Sequence, residues 1–150
     1  MRMELSLTLV CLTVGLTTVA RAEMCSNISN QELTVDTRNE EWTTTSIKVN
    51  DGDLLLVLAS GRAKVAHPMM NEVTPNGAPN GAGRLEMEVG PGKVVSTGER
   101  WVGALRESGA VKFRVANKGH KSQDFSGSYR VRLIVIPAGA LPPTMKVDTE

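Results

Sequence analysis

The chain has 150 residues, with 17 Lys and Arg against 16 Asp and Glu, for a formal net charge of +1. That length fits one ordinary domain, and a hydrophobic content of 41% excludes a disordered chain. Balanced charge without a Lys/Arg run argues against a nucleic-acid surface, and 3% aromatic residues leave few rings to stack on sugars or bases.

Residues 1–22 have the layout of a secretory signal peptide. Arg2 gives a basic start, Leu5 to Val19 is largely apolar, and Ala20-Arg21-Ala22 is a small-x-small cleavage site. The segment is too short and too rich in Thr to span a bilayer comfortably, and no other stretch has the length to cross one. A secreted or periplasmic protein is expected. Cleavage after Ala22 removes Cys11 and leaves Cys25 as a single thiol, so no intrachain disulfide can form and the fold must rest on its core. Asn27-Ile28-Ser29 is a glycosylation sequon, meaningful only in a eukaryotic secretory pathway.

Residues 23–40 read as a polar leader with room for a first strand. Trp42 to Val49 is rich in β-branched residues, with Ile47 and Val49 on one face, and predicts a half-buried strand. Asn50-Asp51-Gly52-Asp53 is a turn. Asp53 to Ala59 is a short, continuous apolar run, which predicts a strand buried on both faces, with Arg62 to Ala66 extending it. His67 to Gly83 reads as a long loop, because Pro68, Pro75 and Pro79 break any ladder. Within it, Pro75-Asn76-Gly77-Ala78 and Pro79-Asn80-Gly81-Ala82 predict two successive turns. A loop of this length is either functional or mobile.

Strands resume at Leu85 to Val89, Lys93 to Ser96 and Ala110 to Val115. A polar loop covers Asn117 to Gly127, and Ser128 to Ile136 is the strongest strand, with Tyr129, Val131, Leu133 and Val135 on one face. Residues 138–150 carry Pro142-Pro143 without periodicity and read as a flexible tail. About eight short strands without an amphipathic helix predict an all-β fold, a two-sheet antiparallel β-sandwich of the jelly-roll or galactose-binding-like type, over residues 41–137. Its sheet edges must be covered, paired or blunted, which leaves a homo-oligomer open.

Catalytic motifs are missing. His67 and His120 stand at no zinc spacing, Ser126 is in no nucleophile elbow, and Glu86 and Glu88 share what is usually a solvated strand face. An enzyme is therefore not expected. The loop from Asn117 to Asp124 offers oxygen donors of the kind calcium takes, but Lys118 and Lys121 oppose a dication, so the residues alone favour a solvated turn.

From Trp42 to about Ile136 the chain resembles the calcium-dependent, galactose-binding bacterial lectins of the PA-I type. The matching residues are Trp42 with Thr45 and Ile47, Asp51-Gly52-Asp53, Ala59-Ser60-Gly61, Leu85-x-Met87-x-Val89-Gly90, Thr97-Gly98, Gly109-Ala110, Asn117 and Ser126-Gly127-Ser128-Tyr129-x-Val131. The resemblance implies a β-sandwich that binds a galactose-type sugar through calcium. It places the ion on the loop before the last strand, with ligands falling on Asn117, Lys121, Asp124 and Phe125 and a backbone ligand on Val65. Asn117 and Asp124 can supply oxygen; Lys121 and Phe125 depart from the pattern, which counts against calcium. His67 opens the loop in which the family has a sugar-contacting histidine. The expected carbohydrate site is thus His67, Asn117 and Asp124, with Asn117 and Asp124 as the metal ligands and Trp42 or Trp101 available to stack on a ring. The alternative is a secreted structural or protein-interaction sandwich that has lost the site.

Overall fold

The computed structural model describes residues 28–67 and 70–140. The signal segment, Cys25, the Asn27 acceptor and residues 141–150 lie outside the described residues.

Nine strands form two antiparallel sheets among these residues: β1 (Ser29–Asp36), β2 (Thr43–Val49), β3 (Leu54–His67), β4 (Met70–Val73), β5 (Leu85–Val89), β6 (Val95–Ser96), β7 (Arg100–Ala104), β8 (Gly109–Val115) and β9 (Phe125–Ile136). The first sheet runs β1-β9-β3, and the far edge of β3 is shared. There β7 pairs with Leu54–Leu58, and β4 pairs with the segment from Ala63 to His67. The second sheet runs β2-β8-β5-β6. The longest ladder joins β3 to β9, from Leu54–Ile136 at one end to Val65–Phe125 at the other.

Alternation decides which residues face inward. Leu55 and Val57 from β3 and Val131 and Leu133 from β9 pack against Met87 from β5 and Phe113 from β8. All six are essentially inaccessible, which makes one core between two layers. The predicted sandwich is therefore present.

As expected, β3 continues through Ser60 and Gly61 as one strand. Gly61 has φ +114°, and a Cβ there would stand 2.7 Å from the Ser128 carbonyl, so only glycine fits without displacing the backbone. Three details differ from the sequence reading. The apolar run is buried on one face only: Leu54, Leu56 and Leu58 alternate outward and stay half exposed, because no described layer covers that side. β4 lies inside the expected long loop, since the short Met70–Val73 segment can pair with the free edge of β3. β7 was missed because its Gly103 and exposed Val102 blur the alternation.

Residues 74–84 form a compact structure. Gly77 donates to the Thr74 carbonyl and Gly81 to that of Ala78, which gives the two expected successive turns. Ala78 and Ala82 plug into the core. The hydroxyl of Tyr129 is 2.8 Å from the Gly83 carbonyl and 3.1 Å from that of Thr74, so its proton ties this segment to β9.

Candidate functional site

The polar loop enters the sandwich at the Val65–Phe125 end of the longest ladder. It folds as two closed turns in series. His120 donates to the Asn117 carbonyl at 3.0 Å, with Lys118 at φ 45° and Gly119 at φ 89°. Asp124 then donates to the Lys121 carbonyl at 2.9 Å, while its Oδ2 accepts the Lys121 N–H at 3.0 Å. Asp124 therefore closes a short 3-10 turn, Ser122–Asp124, with one of its own oxygens.

Beside it lies an open cleft of about 570 Å³, lined by Lys64, Val65, Ala66, Glu72, Gln123 and Asp124 together with Phe125 and Ser126. Ladder register explains the grouping: Val65 is opposite Phe125 and Lys64 opposite Ser126, while Lys64 also faces Glu72 on β4. Glu72 in turn binds Arg62 at 2.8 Å. Glu72 and Gln123 are polar lining residues that the sequence reading did not single out. Glu72 was hidden because β4 was not foreseen.

Of the expected site residues, Asp124 lines this cleft. Asn117 begins the first turn, and its Oδ1 is buried without a hydrogen-bond partner among the described residues. The backbone of His67 ends β3, paired with Met70, and its side chain lies outside the described residues.

A calcium shell takes six to eight oxygens, more than the side chains of this loop supply. The Lys121 carbonyl is engaged by Asp124, and one Asp124 oxygen is engaged in return. Phe125 is 1% exposed and packs in the core, with the His120 ring edge-on at 5.9 Å. Asn117 Oδ1 and the second Asp124 oxygen are too few side-chain donors, with two lysines in the same loop. Among the described residues no group of three or more His, Cys, Asp or Glu is placed to hold a metal.

Neither tryptophan is a free platform. The Arg114 guanidinium lies 4.4 Å over the Trp42 ring and binds Glu86 at 3.0 Å. Trp101 packs against the core, and its indole lies so close over Gly103 that a Cβ there would come within 2.8 Å. The expected solvated face of Glu86 and Glu88 is a pair of cross-strand ion pairs instead. Glu86 is opposite Arg114 and Glu88 opposite Lys112, and Glu86 is 7% exposed.

These elements define a two-sheet antiparallel β-sandwich. One solved structure, described as the EclA N-terminal domain, a PllA-like lectin, matches with a TM-score of 0.61 and 19% identity. The match covers 73% of this chain and 98% of that one. No family model and no curated protein matches the chain.

Proposed function

We propose that this chain is a secreted carbohydrate-binding module that grips its sugar by direct hydrogen bonds at the open end of the sandwich. The observation that carries this reading is the cleft where Asp124, Gln123, Glu72 and Lys64 present donors and acceptors around a half-apolar floor. A sugar ring needs that mixture, because hydroxyls take fixed polar partners while C–H faces rest on apolar surface. The likeness to a lectin domain supports the same reading. Galactose-type sugars are the first probes, in keeping with the sequence resemblance. Calcium is not assigned a part, since the donor set does not complete its shell.

A glycan array run with calcium and again with chelator tests the proposal. Binding that is equal in both, and weakened by Asp124→Ala, is expected. Binding lost with chelator would overturn the metal-free version. Absence of binding on every glycan would favour the second reading, a sandwich that kept its fold and serves as an interaction domain. Lys121 and Phe125, standing where oxygen donors are expected, favour that alternative.

A further inference from the structure

The sandwich is incompletely closed along the side where β6 and β7 form the sheet edges. β6 is two residues long and pairs only with Glu86 and Met87 of β5. A pocket of about 180 Å³ opens there, lined from both sheets. Buried Met87, Val89 and Leu105 and half-buried Val95 and Trp101 give it an apolar interior. The indole finds room because residue 103 is glycine, where a Cβ would stand 2.8 Å from it. The polar side chains of the lining are the exposed Lys93, Arg106 and Glu107. Neither Lys93 nor Arg106 joins an ion pair among the described residues, and the Glu107 carboxylate is set against Gly92 of the Gly90-Pro91-Gly92 turn. Leu105 is held at the Leu54 end of β3, its N–H donating to the Asp53 carbonyl at 2.8 Å, whereas the cleft described above lies at the Val65 end.

We propose that this pocket is a second ligand site, separate from the end cleft, and that it takes a small carboxylate with an aromatic body. Volume sets the size of the body. An apolar cavity of about 150 Å³ holds a benzene ring, so this pocket has room for one ring and a short arm. The interior selects an apolar body. Its buried side chains are aliphatic or thioether, so sugar hydroxyls placed there would give up water without gaining side-chain partners. A ring meets better company. The Trp101 indole can take it edge-to-face or offset, and the Met87 sulfur suits an aromatic contact. The mouth selects the charge. Lys93 and Arg106 outnumber Glu107, and each can give a carboxylate a charge-assisted hydrogen bond at the solvent boundary. An ammonium on the same ring would face both cations.

Titration of the full chain with phenylacetate, followed by the NMR signal of the Trp101 indole N–H, tests the proposal. The signal is assigned by its loss in Trp101→Phe. A saturable shift is expected, with a Kd of about 0.1–1 mM for a ligand of about ten non-hydrogen atoms. Benzylamine should bind about tenfold more weakly, and benzyl alcohol should fall between the two. The double change Lys93→Glu with Arg106→Glu lies on exposed side chains and should weaken phenylacetate about tenfold while leaving benzyl alcohol unchanged. Val95→Trp, which fills the pocket from its wall, should abolish the shift for all three, with circular dichroism checking that the variants fold. No saturable shift up to about 10 mM would overturn the site. Equal affinity for phenylacetate and benzylamine would overturn the ligand class, and binding that survives in a folded Val95→Trp would overturn the location. Competition by galactose would overturn the separation from the cleft. None of the other readouts depends on sugar recognition, so failure of this site and failure of the function proposed above are separate results.

Discussion

Replacing Tyr129 by Phe should weaken the fold measurably, although only one oxygen is lost. The ring is fully buried and stays in place, so no apolar cavity opens. The hydroxyl lies 2.8 Å from the Gly83 carbonyl and 3.1 Å from that of Thr74, and it is the side-chain tie between β9 and the 74–84 segment. A lost hydrogen bond plus a buried carbonyl left short of a donor costs about 2 kcal/mol. For a domain of this size that lowers the melting temperature by roughly 8 °C. A second signature separates this from generic damage. Burial pushes the Tyr129 hydroxyl well above the ordinary tyrosine range. The unfolded chain therefore loses this proton at lower pH than the folded one. The contribution is complete below about pH 10 and falls as pH rises through and beyond that value. Urea melts at neutral and at strongly alkaline pH should show a steeper alkaline loss in the wild type than in Tyr129→Phe. Equal alkaline slopes, or a neutral-pH difference below about 0.5 kcal/mol, would refute the reasoning.

Gly61→Ala should destabilise by about 2 kcal/mol or more, since φ +114° is strained for alanine and its Cβ would meet the Ser128 carbonyl; denaturant melts measure this. Arg114→Ala should cost about 1–2 kcal/mol, because it strands the nearly buried Glu86 carboxylate in a pair that is itself partly exposed. The same change should alter Trp42 fluorescence, and Glu86→Gln with Arg114→Ala should recover part of the loss. Millimolar calcium or chelator should leave the melting temperature unchanged within about 1 °C, whereas a resident ion at 100 times its dissociation constant would add about 2.7 kcal/mol. Asp124→Ala should cost about 1 kcal/mol from the open Lys121–Asp124 turn, read by thermal melts.

Alternation and turn chemistry alone determined the all-β class, the course of β5 and β8, that of β9 from Ser128 onward and the successive turns at Gly77 and Gly81, because strand period and positive-φ turns are local properties; the start of β9 at Phe125, read as loop, is set by its pairing with Val65. Tertiary structure decided what depends on pairing. β4 and β7 exist because β3 is long enough to offer one edge to both. Glu86 is neutralised because register sets it opposite Arg114, twenty-eight residues away. The end cleft combines β3, β4 and β9, and its lining was not legible before those partners were known. The outward leucines of β3 read as core because hydrophobicity records that a side chain avoids water, while only the fold fixes whether a second layer arrives to cover it.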